Sequence, residues 1–543
     1  MRIRYSSRFI LFLIPTLFTI SCSNRSHEKR AELKDVPAVT TKITVTGGII
    51  EGVEQDGIFS YKGIPFAAPP VGDLRWKSPR PVIPWEGVKK TDQFAPGPMQ
   101  DITFAGLGGP QQKLSEDCLY LNVWTGAKKT DEIRPVMLWV YGGGFGVGMT
   151  SIPVYDGTNL AKKGAVIVSV AYRVGPMGFL AHPELSAESG HGSGAYGIQD
   201  MIAGLTWVKD NIEKFGGDPS NVTIFGESSG GTSVCMLVAS PMAKGLFQRA
   251  ISESGAGLVG PSRMEIWKTC FPLKQAEKQG KAYLEKLGAN TIAAARALSA
   301  EEIQKDIKGL GDFRPAADGV TLPENMNEAF QTGSFNDTPI LLGSNSSEGE
   351  RYVTQPVTSE AFEKMVRSRH ASGAEGILKA YSHATDEEAT QAIKDLIRDI
   401  QFAWPTRAWA SLETRNGKNK AYVYYFDHRV SGTPGGATHL AELPYVFGNL
   451  DAPIPTPITM KSDRPTGPED TKLSEVMSSY WVNFAKTGNP NGEGLPKWPA
   501  FDEKQNQVMY FDSDIGARRH PDLDKIMVID AYTAKLRDGM KMK

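Results

Sequence analysis

Five short runs of apolar residues, each stopped by glycine or a polar turn, set the tightest limits on how this chain can fold. Pro135 to Tyr141 (PVMLWVY) stops at Gly142-Gly143-Gly144, and Ala165 to Ala171 (AVIVSVA) stops at Tyr172-Arg173. Val222 to Phe225 stops at Gly226, Thr338 to Leu342 at Gly343, and Ala421 to Phe426 at Asp427-His428. Runs that are apolar throughout, rather than alternating, predict strands buried on both faces and hence parallel neighbours with helices on either side. Between them, Tyr196 to Phe215 places Ile198, Met201, Ile202, Leu205, Val208, Ile212 and Phe215 three and four apart, an amphipathic helix leading into the Val222 strand. The expected class is α/β, with a large mostly parallel central sheet and helices on both faces. Sheets of this kind bind ligands outside the carboxyl ends of their strands. Chemistry is therefore to be sought just after each run.

A length of 543 residues would by itself suggest several domains, but α/β chains often grow by insertion into one sheet-centred unit. Net charge is −1, with basic and acidic residues interspersed, which leaves no electrostatic footprint for nucleic acid. At the N-terminus Arg2, Arg4 and Arg8 precede an apolar stretch, Phe9 to Ile20. As a helix that stretch would cover about 18 Å, short of a ~30 Å hydrocarbon core. Residues 1–22 therefore read as a signal peptide. It ends in Ser21-Cys22, which resembles a bacterial lipoprotein processing site, although Thr19 stands where such sites favour leucine. Cys22 is the expected lipidation site; the alternative is cleavage nearby, with Cys22 lost or left as an ordinary residue. Residues 23–41 are polar and non-periodic and read as a tether, with the body spanning 42–543. The expected location is the bacterial envelope, exported and held to the membrane by lipid, or periplasmic or secreted without it. If lipid takes Cys22, then Cys118, Cys235 and Cys270 remain, enough for at most one disulfide in the body.

After the Val222 strand comes Gly226-Glu227-Ser228-Ser229-Gly230-Gly231, and Thr232 to Ala239 can continue as a helix. This is G-x-S-x-G in the strand–turn–helix setting that exposes a serine hydroxyl above a sheet. Ser228 is the candidate nucleophile; the competing reading is an incidental glycine-rich turn. Gly142-Gly143-Gly144 lets backbone approach a substrate and aim N–H groups at one point. A phosphate loop would need lysine and Ser/Thr behind the glycines, where Phe145-Gly146-Val147 stands. In α/β folds with such a serine, the acid and then the histidine follow in chain order. Past Ser228 the histidines are 370, 383, 428, 439 and 520. His439, in the Gly435-Gly436-Ala437-Thr438-His439 loop, and His428, at the end of its strand, are near even on pattern alone. For the acid, the loop after the Thr338 strand offers Glu348 and Glu350.

These segments, with several others, resemble the type-B carboxylesterase family, which includes cholinesterases and many bacterial esterases. The resemblance runs from about residue 42 to near the end. It is carried by Tyr61-Lys62-Gly63-Ile64-Pro65-Phe66-Ala67-Ala68-Pro69-Pro70-Val71-Gly72 and by Ser115-Glu116-Asp117-Cys118-Leu119-Tyr120-Leu121-Asn122. Tyr172-Arg173-Val174-Gly175, Phe215-Gly216-Gly217-Asp218-Pro219 and Leu443-Pro444-Tyr445-Val446-Phe447-Gly448 add to it. The resemblance implies the α/β-hydrolase fold with loop and helical insertions. It implies Ser228 as nucleophile, Glu348 as acid and His439 as base, with an oxyanion hole from the N–H groups of Gly143, Gly144 and Ser229. It also implies a supporting serine near the acid, Ser254, and two structural ion pairs, Arg75–Glu116 and Arg173–Asp200.

The sequence departs from the family in three places. Leu440 replaces the family's usual glycine after the histidine. Cys118 matches a family disulfide position, but no cysteine lies between Cys22 and Cys118 to pair with it. Phe104 to Lys113 has no tryptophan of the sort that holds a quaternary ammonium. The expected activity is hydrolysis of small-molecule carboxylic esters through an acyl-enzyme, by a monomer with no metal or organic cofactor. Two alternatives stand beside it: a catalytically silent binding or adhesion protein on the same scaffold, and a serine peptidase or amidase.

Overall fold

The structure, a computed structural model, describes residues 36–101, 113–258, 269–304, 313–429, 435–453 and 467–541. The predicted signal peptide, Cys22 and most of the Phe104 to Lys113 loop lie outside those residues. Eleven strands form the main sheet: β1 (Val53–Gln55), β2 (Ile58–Pro65), β3 (Tyr120–Thr125), β4 (Arg134–Val140), β5 (Val166–Val170), β6 (Gly217–Glu227), β7 (Arg249–Glu253), β8 (Ile340–Asn345), β9 (Ala421–Phe426), β10 (Gln507–Phe511) and β11 (Gly516–Arg519). Their spatial order is β1-β2-β3-β5-β4-β6-β7-β8-β9-β10-β11. From β5 to β10 every pairing is parallel; the pairings outside that block are antiparallel. A second, three-stranded sheet joins Lys42–Val45, Gly48–Glu51 and Val88–Lys90.

The apolar runs became strands because both faces are covered. Every residue of β5, β8 and β9 is buried, and all but the first of β4 and β7. Helices α1 (Tyr196–Asn211) and α2 (Ser229–Ala239) pack on each other and on β6. Helix α3 (Trp404–Asn416) covers β8 and β9, and α4 (Pro468–Thr487) covers β4 and β6. The predicted helix at Tyr196 ends in a 3-10 turn, Ile212–Phe215.

Several boundaries differ from the sequence reading. Strand β6 begins at Gly217 and runs through Gly226 to Glu227, beyond the apolar run Val222 to Phe225 at both ends. Strand β8 runs through Gly343 to Asn345, because Ser344 and Asn345 pair with Tyr425 and Phe426. Gly343 is a glycine for space: a Cβ there would strike the ring of Tyr424. The body also begins before residue 42. Ala38 bridges Lys129, and Val39 is buried and donates its N–H to the Lys128 carbonyl at 2.9 Å. The end of the expected tether is thus part of the packed unit.

Both predicted ion pairs form. Arg75 grips Glu116 through two nitrogens at 2.6 and 2.7 Å, and Arg173 grips Asp200 at 2.9 and 2.8 Å. Cys118, Cys235 and Cys270 are free thiols.

Chain order reverses around β4, whose neighbours are β5 on one side and β6 on the other. A crevice outside the carboxyl ends of the strands at such a switch is where this architecture holds ligands. The loops after β4 and β6 begin there, with Gly142 and Ser228.

Candidate active site

Ser228 follows β6 and precedes α2, with φ 56° and ψ −125°. A non-glycine residue at such dihedrals stores strain of order 1–3 kcal/mol, which the surroundings must hold in place. They do so through neighbours without side chains. A Cβ on Gly226 would lie 2.6 Å from the Val140 carbonyl oxygen and 2.7 Å from the carbonyl carbon of Gly230. A Cβ on Gly230 would run into the carbonyls of Val140 and Tyr141. The Ser228 N–H donates to the Glu253 carbonyl at 2.8 Å, pinning the turn to β7. The hydroxyl therefore stands clear of the sheet at a helix start.

His439 reaches that hydroxyl from the loop after β9. Its Nε2 lies 2.9 Å from Ser228 Oγ, and its Nδ1 lies 2.6 Å from Glu348 Oε2. With the Nδ1 proton donated to the carboxylate, the Nε2 lone pair faces the serine proton. Glu348, in the loop after β8, is fully buried, and its Oε1 accepts the N–H of Asn345 at 3.0 Å. The Phe402 ring sits 5.2 Å from the imidazole and gives it an apolar wall. Three side chains from three different loops thus form one hydrogen-bonded line.

The competing candidates are placed elsewhere. His428 is held by Asp470 through Nε2 at 2.7 Å, and Glu350 pairs with Lys394 at 2.8 Å. The Ser254 hydroxyl bonds Glu442 at 3.5 Å and is one carboxylate removed from Glu348. Gly143 and Gly144 take φ 124° and 62°, and nothing lies within 4 Å of where a Gly144 Cβ would be. Among the described residues, their N–H groups have no backbone or side-chain acceptor. Ser229 opens α2, where an N–H has no intrahelical partner.

Three further carboxyl groups gather behind this line. Glu227 Oε1 comes within 3.1 Å of the same His439 Nε2, although neither Glu227 oxygen makes a hydrogen bond among the described residues. Burial, reinforced by Glu442, Glu348 and Glu253, pushes the Glu227 carboxyl well above its usual range. Burial and then Glu348 push Glu442 up to about 8. Glu253 is raised by burial and by Glu442, while the Trp481 indole donates to its Oε1 at 2.7 Å. Sequence reasoning missed this cluster. Only Glu227 carried a signal, its place beside the serine in the turn. Phe402 carried none, because it comes from a π-turn, Asp399–Ala403. Among the described residues no cluster of His, Cys, Asp and Glu is arranged to hold a metal, and no helix is long and apolar enough to cross a membrane.

Comparison with known proteins assigns a family over most of the chain. Residues 36–526 match the Carboxylesterase family. Fumonisin B1 esterase of Sphingopyxis macrogoltabida is 37% identical over 489 residues, covering 87% of this chain and 86% of that protein. Para-nitrobenzyl esterase of Bacillus subtilis (strain 168) is 35% identical over 507 residues, covering 89% and 97%. A solved PNB esterase structure superposes with a TM-score of 0.78 at 34% identity, covering 90% of this chain and 99% of that one. With that span of similarity and an α/β-hydrolase sheet carrying G-x-S-x-G at its switch point, the chain belongs to the carboxylesterase family.

Proposed function

We propose that this carboxylic ester hydrolase works by two-step acyl transfer, with Ser228 as nucleophile, His439 as base and Glu348 as the acid that orients and steadies the imidazole. The observation that carries the reading is the unbroken line from Ser228 Oγ through His439 to Glu348, at 2.9 and 2.6 Å. As the serine oxygen bonds to the ester carbonyl carbon, its proton passes to His439 Nε2, and Glu348 stabilises the resulting imidazolium. The carbonyl oxygen becomes an oxyanion within reach of the N–H groups of Gly143, Gly144 and Ser229, each such donor being worth about 3 kcal/mol. The tetrahedral species collapses, the alcohol leaves with the proton from His439, and the acyl group stays on Ser228. Water then attacks with the same base, releasing the acid and the free serine.

Relatives named for fumonisin B1 and for para-nitrobenzyl esters support esters as the bond class. The test is Ser228→Ala assayed on a short-chain nitrophenyl ester, with organophosphate labelling of the parent enzyme. The variant is expected to fold, lose roughly a millionfold in kcat and take no label. Full turnover by the variant would end the proposal. A parent enzyme that neither hydrolyses nor labels would point to a silent binding scaffold. Export and lipid attachment at Cys22 form a second proposal, supported by the charged-then-apolar pattern of residues 1–20. Incorporation of labelled fatty acid in cells, abolished by Cys22→Ser, tests it.

A further inference from the structure

The three residues before Glu348 meet the three residues before His439 in opposing order. Asn345 Nδ2 donates to the Thr438 carbonyl at 2.9 Å, the Ala437 N–H donates to Ser346 Oγ at 2.9 Å, and the Gly436 N–H donates to Ser347 Oγ at 3.1 Å. The Ser347 N–H adds a fourth bond, to the Ala437 carbonyl at 2.8 Å. The next residue on each side is the pair that meets as carboxylate and imidazole.

Residues 435–438 belong to no helix or strand, so their backbone groups have no ladder to satisfy them. The acid loop supplies the partners instead, and it is itself anchored. The Ser346 N–H bonds the Phe426 carbonyl at 3.0 Å, and Arg398 donates to the Ser346 carbonyl at 3.2 Å. The buried Asn345 also gives its N–H to Glu348 and its amide to Glu442 Oε2 at 2.5 Å. Gly436 is fitted to this contact from the other side. A Cβ there would lie 2.6 Å from Ser347 Oγ and closer still to Ser346 Oγ, whereas its own φ lies outside the left-handed range. It is glycine for room.

We propose that Asn345, Ser346 and Ser347, with Gly436 opposite, form a positioning clamp that sets the distance between the acid and the base. None of the four touches the reacting atoms. They act by fixing the loop that carries His439 to the loop that carries Glu348. The inference rests on the acyl-transfer reading above. A misplacement of about 1 Å at such a pair costs on the order of a hundredfold in rate. Loosening the clamp should therefore be read in kcat, while substrate binding is left nearly alone.

The experiment uses Ser346→Ala, Ser347→Ala, their double variant, Gly436→Ala and the triple variant, assayed on a short nitrophenyl ester. Rates are taken per organophosphate-titratable serine, so any unfolded fraction drops out. The double variant is expected to lose about tenfold in kcat with KM within about threefold, and each single serine variant about threefold. Gly436→Ala alone should lose at least tenfold. In the triple variant the added methyl should cost little more, because the hydroxyls it would strike are gone, a non-additivity that separate structural defects would not give. Unchanged kcat in the serine variants, loss confined to KM, or simple additivity of the two defects overturns the clamp. Ser228→Ala serves as the control. If it is inactive while the clamp variants are unimpaired, only the clamp fails; if it remains active, the acyl-transfer reading fails first.

Discussion

At position 440 a half-buried leucine sits at φ 76°, directly after His439, in a backbone region that suits glycine. The left-handed conformation costs an L-residue roughly 1–2 kcal/mol, partly offset here by the packing of its side chain on the core. Replacing Leu440 by alanine removes the packing and keeps the strain, whereas glycine removes both. Leu440→Ala is thus expected to melt below Leu440→Gly, the reverse of the usual order, by about 1 kcal/mol in thermal denaturation. Alanine melting higher would show that strain at 440 is not felt. His428 and His439 also part at this scale, by their neighbours. Both are loop histidines after the same strand, and their spacing could not separate them. Asp470, which also accepts from the Tyr445 hydroxyl, holds the first, and Glu348 and Ser228 bracket the second.

Among elements, strand and helix are pinned by charge as well as by packing. Arg173, just beyond β5, forms a two-toothed pair with Asp200 on α1, and both are nearly inaccessible to water. Arg173→Leu would leave the Asp200 carboxylate buried and unpaired, a loss of about 3–5 kcal/mol. Denaturant unfolding should show it, and a loss under 1 kcal/mol would contradict the account. Much at this scale was legible in the chain. Uniform apolarity marked β4, β5 and β9 to within a residue or so, since burial on both faces leaves no room for alternation. The end of β8 was not legible, because Ser344 and Asn345 are polar residues held by backbone pairing that side-chain patterns do not record. The same blindness hid the clamp at 345–347, whose bonds run from side chains to the main chain of a segment about ninety residues away. Ser228 itself was readable because motif, strand and helix coincide there, while the carboxyl groups at 253 and 442 arrive only through the fold.

For the molecule as a whole, buried acids set how stability responds to pH. Glu442 is pushed up to about 8 and Glu413 to about 9, each chiefly by burial, against 4.5 in the open chain. Between those limits the folded state keeps protons that the unfolded state has lost, so stability declines as pH climbs. His370 and His520, lowered to about 4 from 6.5 by burial, act in the opposite direction, but chiefly between those two values, and their effect fades above pH 6.5. Tm is therefore expected to fall steadily between pH 6.5 and 9, and Glu413→Gln should flatten the decline. A flat or rising profile for the parent protein would contradict this. The line through the site has one more consequence, since Ser228 and His439 stand 211 positions apart and meet only across a finished sheet. On the acyl-transfer proposal, a ribosome-bound or clipped chain that stops short of residue 439 would carry a serine with no imidazole to draw off its proton.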